Sequence, residues 1–123
     1  MNTQLDQFQN HPYLNIETFR KNGEGVKTPV WFAQDGDTVH VWTQASSGKV
    51  KRIRRNGCVR IVPSTMSGEP LGDWIPAQAR ADDSPEAIQA IKKLMTRKYG
   101  LLFRIFEFLN RKSKAVDLKI AVP

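Results

Sequence analysis

Short stretches of alternating apolar and polar residues, separated by Gly-containing turns, run through the first third of the chain. Three of these stretches predict β-strands, at residues 13–20, 26–33 and 38–43. The turns between them, around Gly23 and Gly36, contain the Gly, Asn and Asp residues that tight hairpins need. We therefore expect the chain to begin with an antiparallel meander.

Pro29 lies inside the second predicted strand, where a proline cannot donate a hydrogen bond to a neighbouring strand. We expect that strand to be irregular or unpaired at Pro29. Backbone groups next to it would then be free for another partner, and a bound ligand is one candidate.

Two helical stretches and three more strands follow. The first helix begins after Ser46 or Ser47, either of which can cap it, and it ends at Asn56-Gly57. The second opens on Ser84-Pro85-Glu86, and Gly100 can break it before a further apolar segment. The three strands are expected at residues 58–63, 74–81 and 115–122. An all-β core of six antiparallel strands with two helical insertions, formally α+β, fits a barrel, because closure removes exposed sheet edges.

The length of 123 residues allows one domain with one core and is too short for two. We expect a single domain over residues 1–123, with residues 1–12 as a loosely ordered N-terminal arm. Cys58 is the only cysteine, so no intramolecular disulfide can form. His11 and His40 fit no metal-ligand spacing, so no metal site is expected, and His40 is interpreted as a satisfied barrel residue.

Targeting and membrane signals are absent from the sequence pattern. The most apolar stretch, residues 101–109, contains Arg104 and Glu107 and is far shorter than the roughly twenty residues that span a bilayer. The first twenty residues hold no apolar signal-peptide core. We therefore expect a soluble, cytoplasmic protein with no membrane partner.

The formal net charge of +7 is unevenly distributed. Residues 46–56 hold five Lys and Arg residues and no acid. This concentration indicates a site for a defined anionic partner, and a solvated helix face is the alternative. No nucleic-acid-binding motif accompanies the charge, so no nucleic-acid partner is expected.

The strongest candidate for chemistry is the third strand followed by the first helix. A helix N-terminus presents unpaired N–H groups and the positive end of its dipole, which together favour a phosphate. Ser46 and Ser47 add hydroxyl groups there, Lys49 adds an ammonium, and Arg52 shares the helix face of Lys49. No nucleotide-binding glycine motif or nucleophile motif is present, so we name no catalytic residue and expect any reaction to use a bound cofactor.

Three runs of sequence resemble the pyridoxamine-phosphate-oxidase-like, FMN-binding split-barrel superfamily, and within it the short deazaflavin-dependent oxidoreductases. They are YLNIETFRKNGEGVKTPVWF at 13–32, VWTQASSGKVKRIRRN at 41–56 and LMTRKYGLLFRIFEFLNR at 94–111. The resemblance covers nearly the whole chain. It implies a split β-barrel homodimer with FMN or the deazaflavin coenzyme F-420 at the subunit interface, and hydride transfer to a small unsaturated or conjugated substrate.

The resemblance also implies which residues contact the cofactor. The ring would lie against the second strand, beside Thr28, Pro29, Val30 and Trp31. The phosphate would be held by Thr43, Ser47 and Lys49, with Arg54 or Arg55 as helpers. Trp74 resembles an aromatic residue offered by the partner subunit. Tyr99, Phe103 and Phe106 are interpreted as helix packing or dimer contacts.

Two alternatives stay open at this point. The surplus of arginines favours the deazaflavin coenzyme, which has an acidic tail, over FMN, but it does not decide between them. A non-catalytic carrier of a flavin or haem is the second function class, because a fold does not fix a function.

Overall fold

The structure, a computed structural model, describes residues 3–123. Its strands form one antiparallel sheet of seven strands in the order β2-β1-β5-β6-β7-β4-β3. They are β1 (Tyr13–Phe19), β2 (Gly25–Trp31), β3 (Ala33–Asp35), β4 (Thr38–Gln44), β5 (Cys58–Ser64), β6 (Ile75–Asp82) and β7 (Ala115–Ala121). The helices are α1 (Gly48–Arg55), α2 (Pro85–Tyr99) and α3 (Leu101–Leu109), and Thr3–Phe8 forms a short 3-10 helix.

The two ends of the sheet are joined by a single residue, Phe32. β2 pairs with β1 at one end of the strand order, and β3 pairs with β4 at the other end. Because β2 and β3 are consecutive in the chain, the sheet must curl until its ends meet, which makes a barrel. The predicted fold class is confirmed. The predicted count of six strands is wrong, since the expected strand at 26–33 changes partners at Phe32 and becomes two strands.

Pro29 does not interrupt β2, contrary to the expectation of an irregular or unpaired strand. β2 pairs with β1 continuously, and Pro29 stands opposite Asn15 in that register. β2 stands at one end of the strand order and pairs with β1 alone, so Pro29, which has no N–H group, is tolerated in it.

The barrel interior is filled from nearly every strand and closed by α1. Its fully buried side chains include Leu14, Ile16, Val39, Val41, Ile61, Leu118 and Ile120. Val50 and Ile53 of α1 join this core, as their spacing predicted. Leu5 and Phe8 are also buried in it, so the part of the arm from Thr3 to Phe8 is an ordered helix rather than a loose segment. Met1 and Asn2 lie outside the described residues.

The helices begin where their caps predicted. The Ser47 hydroxyl accepts a hydrogen bond from the Val50 N–H at 3.4 Å, and the Ser84 hydroxyl accepts one from the Ala87 N–H at 3.2 Å. Gly100, at φ 60°, separates α2 from α3, as its sequence position predicted.

Beyond Gly100 the chain reverses. Glu107 of α3 forms an ion pair of 2.9 Å with Lys92 of α2, so the two helices form a hairpin. This hairpin packs on the outside of the barrel through Ile91, Met95 and Phe103, which are all fully buried.

Candidate functional site

A cavity of about 360 Å³ opens where β2, β4, the start of α1 and the α2–α3 hairpin meet. It is lined by Tyr13, Pro29, Val30, Trp31, Trp42, Thr43, Gln44, Ser47, Lys49, Met95 and Phe106. Its volume lies in the roughly 300–1,000 Å³ range of small-molecule sites, and its walls combine aromatic side chains with a few polar groups. We refer to this cavity as the aromatic pocket.

Six of the ten cofactor residues assigned from the sequence line the aromatic pocket. They are Pro29, Val30, Trp31, Thr43, Ser47 and Lys49. They come from two strands and one helix that are separated in the sequence, and the barrel brings them to one place.

The other four assigned residues do not line it. Thr28 is half-buried on β2 beside the lining residues. Arg54 lies 3.9 Å from Asp83, and Arg55 donates a hydrogen bond of 2.9 Å to the Phe19 carbonyl.

Trp74, the fourth of them, lies outside the pocket between two cations. The Lys27 ammonium and the Arg60 guanidinium are each 5.2 Å from the Trp74 ring centroid. Trp74 and the aromatic pocket are therefore separate features of the chain.

The aromatic wall of the pocket is held from behind by α2 and α3. The Trp31 ring stacks on Tyr99 with centroids 4.7 Å apart, and Phe106 approaches the same indole at 5.6 Å. Trp42 meets the buried Phe103 edge-on at 5.2 Å. Both tryptophans are thus fixed by packing, which gives a flat ligand a preformed surface.

The polar end of the pocket is the N-terminus of α1. Ser47 caps the helix there, with its Oγ 3.5 Å from Thr43 Oγ1. Burial lowers the pKa of Lys49, and the nearby Arg52 guanidinium lowers it further. Lys49 makes no ion pair with an acid among residues 3–123, so a half-buried cation at a helix N-terminus is left without a counter-charge.

Arg52 adds a second cation beside the start of α1, although it does not line the pocket. Its Nε donates a hydrogen bond of 2.7 Å to Thr18 Oγ1. Its Nη1 would lie only 2.7 Å from a Cβ placed on Gly48, so the absence of a side chain there lets the guanidinium lie across the helix start. Burial and the neighbouring Arg20 and Arg55 lower the pKa of Arg52. The start of α1 is a strongly positive environment.

Sequence reasoning missed five lining residues: Tyr13, Trp42, Gln44, Met95 and Phe106. Trp42 and Gln44 flank the assigned Thr43, so their strand position was the available signal. Met95 and Phe106 reach the pocket only because the α2–α3 hairpin folds back over the sheet, which no local pattern shows.

His40 lies outside the aromatic pocket, and its imidazole is paired with a carboxylate. Its Nδ1 is 3.0 Å from a carboxylate oxygen of the buried Asp117, so the interpretation of His40 as a satisfied residue is confirmed. Among residues 3–123, no group of three or more His, Cys, Asp and Glu side chains is arranged to hold a metal ion. Within the same residues, no helix is both long and apolar enough to cross a membrane.

Solved structures share this fold. HutZ, the haem storage protein of Vibrio cholerae, is 17% identical over 98% of this chain and 88% of its own, with a TM-score of 0.70. A Listeria innocua protein assigned as a pyridoxamine 5'-phosphate oxidase is 17% identical over 97% and 90%, with a TM-score of 0.64. An F-420 reductase is 13% identical over 100% and 95%, also with a TM-score of 0.64.

These likenesses establish the fold as a split barrel, as the sequence resemblance predicted. No protein-family model matches the chain, and no curated protein matches it. The structural neighbours include both a reductase and a haem storage protein, so the fold by itself is compatible with either use.

Proposed function

We propose that the protein is an oxidoreductase that binds FMN or the deazaflavin coenzyme F-420 in the aromatic pocket and reduces a small unsaturated or conjugated substrate. The observation that carries this proposal is Lys49, a half-buried cation without an acidic partner among the described residues, at the polar end of a pocket walled by tryptophans. Such a pocket is complementary to a flat ring that carries a phosphate.

The residues present fit such a cofactor at both ends. Thr43 and Ser47 offer hydroxyl groups, α1 offers free N–H groups and Lys49 offers an ammonium, all to one anionic group. Pro29, Val30 and Trp31 offer β2 as a flat apolar surface to the ring. The bound cofactor would supply the hydride, and the chain would supply position, exclusion of water and positive charge.

The dimer implied by the sequence remains part of the proposal. The aromatic pocket is partly open to solvent, and Trp74 lies outside it between Lys27 and Arg60. A partner subunit that supplied its own Trp74 would add an aromatic surface to the site. Light scattering at micromolar concentration should therefore give a particle of about twice the 14.0 kDa chain mass.

A haem-type carrier is the second candidate function, favoured by the likeness to the haem storage protein HutZ. Met95 is the sulfur-bearing residue of the pocket lining, whereas His11 and His40 are not part of that lining. Met95 is fully buried, so the likeness to HutZ alone places hemin among the ligands tested.

The test is a fluorescence or absorbance titration of wild type and two lysine variants with FMN, F-420 and hemin. Lys49→Met should weaken binding of FMN and F-420 by about 1.5–3 kcal/mol, the range for hydrogen bonds to charged groups. Lys51→Met, an exposed lysine on the same helix, is the matched control and should change binding little. Equal affinity of wild type and Lys49→Met for both phosphate-bearing cofactors would contradict the proposed site. Tight binding of hemin alone would favour the carrier.

A further inference from the structure

α3 presents an unpartnered apolar stripe to solvent. Five of its large side chains are between 49% and 71% exposed: Leu101, Leu102, Ile105, Phe108 and Leu109. Their spacing of one, four, seven and eight residues from the first places them along one side of the helix. The other side is anchored by the fully buried Phe103. We call these five exposed residues the α3 stripe.

The α3 stripe is not needed to pack α3 against the rest of the chain. Phe103 and Phe106 already provide the contacts of α3 with Trp42 and Trp31. Five adjacent large apolar side chains on one helix of nine residues make a contiguous patch, and such patches mark interaction sites.

Positive charge is concentrated around the α3 stripe. Residues 92–114 contain eight Lys and Arg residues and one acid, so this segment alone carries a charge equal to the +7 of the whole chain. Arg97 precedes α3, Arg104 lies within it, and Arg111 and Lys112 follow it, all of them exposed. Two further cations of the segment are engaged elsewhere: Lys98 donates to the Phe32 carbonyl, and Lys114 forms an ion pair of 3.1 Å with Asp83. The stripe therefore has cations at both of its ends.

A groove beside the stripe is also cationic. It has a volume of about 530 Å³ and is lined by Lys92, Arg104, Arg111 and Phe108, among others. Lys92 is paired with Glu107, and the Arg111 guanidinium lies 4.4 Å from the Phe108 ring centroid. Arg104 makes no ion pair with an acid among residues 3–123. The groove can take an anionic group next to the apolar surface.

This charge pattern opposes a second copy of the chain as the occupant of the stripe. A two-fold contact through α3 would place the patch against itself, so the cations of one helix would face those of the other. An anionic lipid surface has the opposite charge at its head groups and an apolar layer directly below them, which matches both parts of the patch.

We propose that α3 docks the protein on an anionic membrane surface. The helix lies in the plane of the membrane, with the stripe at the acyl boundary and the flanking Lys and Arg residues among the head groups. This goes beyond the proposed function and does not depend on it. It departs from the expectation of no membrane partner, which considered only segments long enough to span a bilayer; a helix lying on the surface does not need that length.

Flotation of the full chain with lipid vesicles tests this docking. The protein should float with vesicles of phosphatidylcholine mixed with phosphatidylglycerol, much less with phosphatidylcholine alone, and less at high salt. Leu102→Ser/Leu109→Ser should lower the bound fraction by about fivefold or more, because it removes the buried apolar area. Met66→Ser/Leu71→Ser is the matched control, since these side chains are 71% and 52% exposed elsewhere on the surface.

A charge variant provides a second, independent arm. Arg104→Glu/Lys112→Glu should abolish the preference for phosphatidylglycerol, whereas Lys21→Glu/Lys51→Glu, in the β1–β2 turn and α1, should retain it. All of these side chains are exposed, and thermal melting should show that each variant is folded. The proposal is overturned if wild type floats with neither vesicle, or if both α3 variants bind as wild type does. It is also overturned if Leu102→Ser/Leu109→Ser converts a lipid-free dimer into monomers, which would assign the stripe to a second copy.

Discussion

Trp31 and Tyr99 stack with ring planes only 15° apart, and this contact joins the end of β2 to the end of α2. The Tyr99 hydroxyl accepts a hydrogen bond of 3.0 Å from the Phe32 N–H. It also lies within donor distance of the Pro12 and Phe32 carbonyl oxygens, at 2.7 and 2.9 Å. One side chain therefore supports the pocket wall through its ring and the adjoining backbone through its hydroxyl.

Replacing Tyr99 with Phe separates these two roles. The stack on Trp31 should persist, but the Phe32 N–H would lose its partner, which costs about 1–3 kcal/mol of unfolding free energy for a buried group. Urea unfolding measures this loss. Tyr13→Phe is the control, because it also removes a hydroxyl from the pocket region. A Tyr99→Phe protein as stable as wild type would show that the hydroxyl contributes nothing to the junction.

Phe103 should be the main anchor of α3. It is fully buried and meets Trp42 edge-on, so Phe103→Ala should cost about 3–5 kcal/mol in unfolding free energy, as for other large-to-small core changes. Phe108→Ala, on the exposed side of the same helix, should cost within about 0.5 kcal/mol. Chemical denaturation of the two variants compares them directly. Similar losses for both would mean that the exposed side is covered in the isolated protein.

Lys98 should make the free energy of unfolding depend on pH in the alkaline range. Its ammonium donates a hydrogen bond of 2.9 Å to the Phe32 carbonyl, and burial lowers its pKa to about 8, from the ordinary value of 10.5. Between these two values the unfolded chain binds more protons than the folded one, so raising the pH favours the folded state through this group. The unfolding free energy of wild type, minus that of Lys98→Met, should therefore rise from about pH 8 to pH 10.5. A flat difference across that window would contradict the lowered pKa of Lys98.

Arg52 should contribute more than Arg54 to binding an anionic cofactor. The Arg52 guanidinium reaches back to Gly48 at the start of α1, whereas Arg54 faces Asp83. We expect Arg52→Gln to weaken F-420 binding about tenfold, or about 1.4 kcal/mol, and Arg54→Gln to change it less than about twofold. Titrations at two salt concentrations measure this, since lost charge contacts also reduce the salt dependence. A larger effect of Arg54→Gln would favour Arg54 as a helper in holding the cofactor, as the sequence resemblance implies.

The sequence predicted the elements that local patterns encode. The helix starts at Ser47 and Ser84 and the break at Gly100 were predictable because caps and glycines act within a few residues. The change of partners at Phe32 was not, because the chain is extended on both sides of it. It depends on which distant strands, β1 and β4, happen to lie beside each half.

The same distinction applies to the pocket. Thr43, Ser47 and Lys49 lie within seven residues of one another, so the polar end was accessible to sequence reasoning. Met95 and Phe106 reach the site through the fold of the α2–α3 hairpin. The basic residues at 92–114 form one continuous segment of the sequence, but that an exposed apolar stripe lies among them depends on how α3 packs against α2 and the barrel.

Phe32, the single residue between β2 and β3, joins the two ends of the sheet, and its backbone hydrogen bonds depend on α2. At Phe32 the backbone N–H bonds to the Tyr99 hydroxyl, and the carbonyl accepts from the Lys98 ammonium, so both groups are held by the last turn of α2. If that turn unfolds locally, the Phe32 N–H and carbonyl lose these partners at the same moment. The Phe32 amide should therefore exchange with deuterium together with the last amides of α2, as one cooperative unit that opens more readily than β5 and β6 in the middle of the strand order.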